Sequence, residues 1–184
     1  MKHLNFLTIS LLLSTITLLP CTGRAASAAE LARNARAALN SLLSSNPAAR
    51  AAAAKAKAIL VFPRIIKGGF IVAGQHGDGA LLVNGKAVGF YTTVAGSYGF
   101  QAGLQKFGYA MFFMTGSSLN YLHNSGGWEV GSAPSLVVVD TGIARSLSTT
   151  TLKKGIYVFF FNQKGLMGGL GLQGTKITEY TPSE

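Results

Sequence analysis

Residues 68–96 read GGFIVAGQHGDGALLVNGKAVGFYTTVAG, and the run continues in the same manner to Met114. Eleven of the chain's twenty-three glycines fall between Gly68 and Met114, interleaved with β-formers and without a proline. Glycines spaced through strand-like sequence mark bulges, tight corners or close backbone approach, so the stretch reads as a tightly curved antiparallel sheet. Two turns are expected in it, at Gly77-Asp78-Gly79 and at Asn84-Gly85. The second is the stronger, because Asn-Gly between apolar runs supplies the two positive-φ residues of a type I′ hairpin turn. The spacing then predicts strands over 68–73 and 80–83, paired with each other, followed by strands over 87–95 and 106–114.

On the N-terminal side, Leu31, Ala35, Ala38, Leu39 and Leu42 recur at helical spacing and predict an amphipathic helix over 29–43. Asn46-Pro47 is a helix start, a capping Asn with Pro at the first helical position. The alanine-rich sequence after it predicts a second helix from Pro47 to about Ile59. Ile59 to Phe62 is strand-like and is closed by Pro63. On the C-terminal side, 116–124 reads as a short helix capped by Thr115 with Leu119 and Leu122 facing inward. Strands are expected over 135–140, 156–161, 166–172 and 175–180. Ile156 to Phe161 is six apolar residues without alternation, the pattern of a strand covered on both faces. About nine strands, two N-terminal helices and one inserted helix make an α+β domain. Closure into a barrel would protect the edges of so many short strands.

Composition narrows the function classes. Of the 184 residues 48% are hydrophobic and only 12% charged, against about 25% charged in typical soluble domains. Residues 1–28 have the make-up of an export signal: Lys2 and His3, an apolar run from Leu4 to Leu19, then Ala26-Ser27-Ala28 as a small-x-small cleavage site giving a mature start at Ala29. A competing start is Cys21, the position of an acylated cysteine in bacterial lipoproteins, although Pro20 stands where a small residue is expected. Cys21 is the only cysteine, so the fold has no intrachain disulfide. The remainder, 29–184, is one domain, expected in the periplasm or cell envelope, exported or held at the outer membrane as a lipoprotein.

The net charge of +10 should attract anions, with simple solubility as the bland alternative. Arg50, Lys55, Lys57, Arg64 and Lys67 form the densest group, five basic residues in eighteen positions with no acid among them. They are the candidate site; a solvated helix face and turn is the competing reading. Signs of catalysis are thin. Gly169-Leu-Gly-Leu-Gln-Gly174 matches a dinucleotide-binding pattern in letters alone, since too little chain follows for a βαβ unit. His76 and Asp78 lie two apart, but no third metal ligand is near in sequence. No nucleophile-elbow serine is present. No catalytic residue, metal or cofactor is therefore expected. Nucleic acid is not expected as a partner either, because the aromatics sit in apolar runs away from the basic residues.

Lys57-Ala-Ile-Leu-Val-Phe-Pro63, Gly68-Gly69-Phe70, Gly96-Ser-Tyr-Gly-Phe-Gln-Ala-Gly103 and Lys164-Gly-Leu-Met-Gly-Gly169 together resemble the SYLF lipid-binding domain family, which includes eukaryotic actin-patch proteins. The resemblance spans about Ala29 to Tyr180. It implies a non-catalytic domain that binds acidic phospholipids, with basic residues of the N-terminal region implicated in some members and actin binding in fungal ones. Gly89-Phe90-Tyr91-Thr92 departs from the Gly-Trp-Ser-like sequence of many eukaryotic members. With the export signal, this points to a bacterial envelope member for which actin is irrelevant. The expected partner is an anionic phospholipid membrane surface. A structural or protein-interaction scaffold in the envelope, or a barrel enclosing an apolar ligand, are the alternatives.

Overall fold

The structure, a computed structural model, describes residues 26–124, 128–129, 136–139, 155–165 and 174–183. Two helices, α1 (Ala28–Ser45) and α2 (Pro47–Ala53), precede two long strands, β1 (Ala58–Val83) and β2 (Lys86–Phe113). The short helix α3 (Gly116–Asn124) and four further strands follow: β3 (Trp128–Glu129), β4 (Leu136–Val138), β5 (Ile156–Gly165) and β6 (Thr175–Glu179). The class is α+β, a curled half-barrel of mainly antiparallel sheet with helices at the N-terminus and a short inserted helix. The expected strand over 166–172, residues 169–173 of the glycine pattern, and residues 1–25 of the expected export signal with Cys21 lie outside the described residues.

Asn84 and Gly85 both take positive φ, 50° and 76°, and close β1 onto β2 with Val83 opposite Lys86. The other expected turn is not one. Gly77, Asp78 and Gly79 are extended and pair with Thr93, Thr92 and Tyr91. Segments 68–73 and 80–83 therefore do not pair with each other; both belong to β1, and both find their partner in β2. Pro63 does not end a strand either. It sits at a register shift between Phe62 and Ile65, a bulge that accommodates a residue without an amide hydrogen.

Strands of 26 and 28 residues would run to about 85 Å or more if straight, at about 3.3 Å per residue. Instead the hairpin folds back on itself, and glycine permits the contact. A Cβ on Gly77 would lie 2.7 Å from the Arg64 carbonyl oxygen, and one on Gly79 would meet the Val61 carbonyl and the Phe62 ring. The two halves of β2 recruit different neighbours. Residues 105–113 pair with β5, which carries β4 in parallel on its far side, and residues 91–95 pair with β6, which carries β3.

Period-two alternation then builds two cores. Leu60, Phe62, Tyr109, Met111, Phe113, Ile156 and Val158 point into the concave side with Leu81, Tyr91 and Ile177. Tyr109 donates to Thr93 Oγ1 at 2.8 Å, and its burial pushes the phenol's pKa up. These side chains occupy the interior in which an enclosed apolar ligand was considered. Their neighbours Val61, Ala110, Phe112, Tyr157 and Phe159 point outward, against Leu39 and Leu42 of α1 and the alanines of α2. Each large apolar side chain so buried contributes about 1.5–3 kcal/mol. The β5 strand is thus covered on both faces as expected up to Phe159, while Phe160 and Phe161 are only half-buried.

Asn46 serves both helices: its amide donates to Leu42 O at 2.9 Å, and its side chain accepts from Ala49 N at 3.0 Å. The α2 helix stops at Ala53, well short of Ile59, because Ala58 and Ile59 are taken up by the sheet opposite Phe113 and Phe112. Ser27 caps α1, accepting from Glu30 N at 3.3 Å, so a start at Ala29 would remove that cap. Thr115 caps α3 through Ser118 N at 3.2 Å, and Leu122 reaches the concave core with Leu119 packed against it.

Candidate functional site

The five cations singled out from sequence are spread along the domain. Arg50 is exposed, but its guanidinium is engaged, donating to Leu43 O at 2.5 Å and Ser44 O at 3.0 Å. It thereby satisfies carbonyls that the end of α1 leaves without helical partners. Lys55 and Lys57 lie exposed in the link between α2 and β1, where the Lys57 amide donates to Phe113 O. Arg64 is exposed and Lys67 half-buried, further along β1. Ten residues of strand separate Lys57 from Lys67, about 30 Å of curving path at 3.3 Å each. The structure groups Arg64 with Lys67 near the fold-back and leaves Arg50, Lys55 and Lys57 at the opposite end.

What the sheet brings together is a different set. Ile66 lies opposite Lys106, and Lys106 opposite Lys164. On the other half of the hairpin His76 lies opposite Val94, and Val94 opposite Lys176. Directly opposed residues share a sheet face; here it is the outer one, since Ile65, Gln75, Thr93, Gln105, Phe107 and Ile177 are buried on the other. The fold-back sets the two triplets side by side, with Ile66 and His76 lining a common cleft. A single row results, in spatial order Lys176, Val94, His76, Ile66, Lys106, Lys164, with Glu129 of β3 opposite Lys176 at its edge. All six residues from Lys176 to Lys164 are exposed, and Leu104, next along that face opposite Gly68, is 55% exposed. Sequence reasoning missed Lys106, Lys164 and Lys176 because they are isolated in the chain; only strand register could have found them.

The cleft has a volume of about 620 Å³ and runs between α1 and the fold-back, lined on the helix by Glu30, Leu31, Asn34 and Ser41 and on the sheet by Arg64, Ile66, His76 and Asp78. His76 and Asp78 are on a strand rather than a turn, with Nε2 3.8 Å from Oδ1. Burial, then the charge of Asp78 and a hydrogen bond to it, push the Tyr180 phenol up to about 12. Asp78 is thus held from two sides. Among the described residues no three His, Cys, Asp or Glu side chains stand where they could share a metal ion.

Residues 94–183 match the model of the family described as Ysc84, Las17-binding protein actin regulator. No curated protein matches the chain. The matched segment begins at Val94 in the middle of β2 and runs to the end of the described chain, whereas the Lys57–Pro63 and Gly68–Phe70 motifs lie before it. Arg50, Lys55, Lys57, Arg64 and Lys67 all fall outside the match, while Lys106, Lys164 and Lys176 fall inside it.

Proposed function

We propose, from the membership of residues 94–183 in the SYLF family, that this chain is a non-catalytic module of the bacterial cell envelope that binds anionic phospholipid head groups. The family is one of non-enzymatic binding domains. The observation carrying the reading is the excess of solvent-facing cations: Lys55, Lys57, Arg64, Lys106, Lys164 and Lys176 are all exposed, and the whole sequence holds only six acids against sixteen lysines and arginines. Near an anionic membrane each such cation is worth about 1 kcal/mol, falling away within a Debye length. Of the N-terminal group, Arg64 and Lys67 lie with the site, while Arg50, held at the end of α1, and Lys55 and Lys57 add only long-range attraction from the far end of the domain. Export by residues 1–28 would deliver the domain to the periplasm or outer membrane.

Vesicle co-sedimentation tests it. Binding is expected to phosphatidylglycerol-containing vesicles, to weaken with salt, and to be weak on phosphatidylcholine alone. Equal binding to both would sink the proposal. The family description, which names a protein that is bound, favours a second reading as a protein-binding scaffold. A stoichiometric envelope partner retained by a protein that ignores all vesicles would establish that one.

A further inference from the structure

The Lys106–Lys164 pair is unfavourable as it stands. Like charges directly opposed across antiparallel strands destabilise a sheet, and both side chains are exposed on the outer face. A third lysine, Lys176, stands in the same row at the other side of the curled sheet, between Val94 and Glu129 of β3. Between the cations stand apolar side chains that the domain leaves uncovered: Ile66 and Val94 are each 41% exposed and Leu104 55%. Of the four large hydrophobics exposed among the described residues, only Val88 lies elsewhere. Three acids border the row: Glu30 and Asp78 line the cleft shared by Ile66 and His76, Asp78 being engaged by His76 and Tyr180, and Glu129 stands opposite Lys176.

We propose that this outer row, Lys176–Val94–His76–Ile66–Lys106–Lys164 with Leu104 beside it, is a membrane-docking face, in which Ile66, Val94 and Leu104 enter the head-group layer while the three lysines meet lipid phosphates. The inference rests on the phospholipid-binding reading and moves its centre from the N-terminal cations to the sheet. The chemistry selects a bilayer over other polyanions. An acidic protein or a nucleic acid would satisfy the lysines and leave the apolar middle uncovered, whereas an anionic membrane offers phosphates at the surface and hydrocarbon just beneath. Anionic phosphates between Lys106 and Lys164 also offset the repulsion between these opposed side chains.

The test uses full-length protein carrying Cys21→Ser, so that acylation cannot supply membrane association, and vesicles of phosphatidylglycerol with phosphatidylethanolamine. The Lys106→Gln/Lys164→Gln/Lys176→Gln variant should bind about 100-fold more weakly, equivalent to about 3 kcal/mol at about 1 kcal/mol per cation. The Arg50→Gln/Lys55→Gln/Lys57→Gln variant should change less than about 3-fold on the same reasoning, its cations lying at the far end of the domain. A polarity-sensitive dye on Leu104→Cys should shift to the blue when vesicles are added. The reverse ranking of the two triple variants overturns this inference and leaves phospholipid binding standing. Failure of the Cys21→Ser protein to bind any vesicle overturns both. A dye that stays in a water-like environment on bound protein, or equally tight binding to heparin, overturns docking by apolar insertion. Circular dichroism of each variant confirms that the surface changes leave the fold intact.

Discussion

Replacing Lys164 by Glu should make the protein more stable while making it a poorer membrane binder. Lys106 and Lys164 oppose each other across β2 and β5, where Cβ atoms lie about 5 Å apart. With the ammonium groups swung to about 7 Å in a water-like dielectric, the repulsion is about 0.6 kcal/mol. Lys164→Glu removes that and substitutes an attraction of similar size, so the gain at low salt is about 1 kcal/mol. Lys and Glu are both mildly disfavoured in strands, which leaves charge as the main difference. For a domain of this length 1 kcal/mol raises Tm by about 2–4 °C. Calorimetry at low salt should show the rise, and in about 1 M salt, where the Debye length falls to about 3 Å, it should vanish. A Tm that is unchanged or lower at low salt, or a gain that persists at high salt, refutes the argument from register and with it the strained lysine pair.

Other perturbations probe the scaffold. Gly79→Ala presses a methyl group onto the Val61 carbonyl and the Phe62 ring and should cost about 1–3 kcal/mol; Gly74→Ala, with nothing within 4 Å, should be neutral or slightly stabilising, and equal effects in a denaturation series would contradict the fold-back. Arg50→Ala removes the guanidinium from the end of α1 and should lower stability by about 1 kcal/mol with little change in vesicle binding; a large loss of binding at unchanged stability would return Arg50 to the lipid site. At high pH two buried tyrosines and one half-buried one act together. Tyr91, Tyr109 and Tyr180 are all raised above the usual 10.0, chiefly by burial. A phenol whose pKa is higher folded than unfolded favours the fold below the unfolded value and loses that contribution as pH rises toward the folded one. Stability should therefore fall from about pH 10 upward, with tyrosinate absorbance rising in step with unfolding. Titration of all the tyrosines near pH 10 with the fold retained would contradict it.

Local signals carried far in this chain. The α1 stripe, Asn46-Pro47, the Thr115 cap and Asn84-Gly85 are each read from a few adjacent residues, and each stands where those residues dictate. Readings failed where a distant partner decided the conformation. Gly77-Asp78-Gly79 has turn composition, yet β2 is alongside to pair with it and the first half of β1 needs the space that its missing side chains leave. Ile59 follows a helix-forming run but is drawn out of it by Phe112. The cation site shows the same division: the five basic residues between Arg50 and Lys67 are conspicuous because they are close in sequence, and a strand then draws them apart.

The fold-back joins these observations. Burying Phe62, Leu81 and Tyr91 in one concave core requires β1 to double over, and doubling over requires glycine where Gly77 and Gly79 meet the first half of the strand. The same movement sets Ile66 beside His76, and with them every residue that β2, β5 and β6 carry in register. Had the hairpin stayed straight, the two triplets would lie some ten residues apart, about 30 Å, as two separate weak patches. The glycine-rich stretch thus acts on function through geometry alone: none of its glycines needs to touch a lipid for the row of lysines and uncovered apolar side chains to exist.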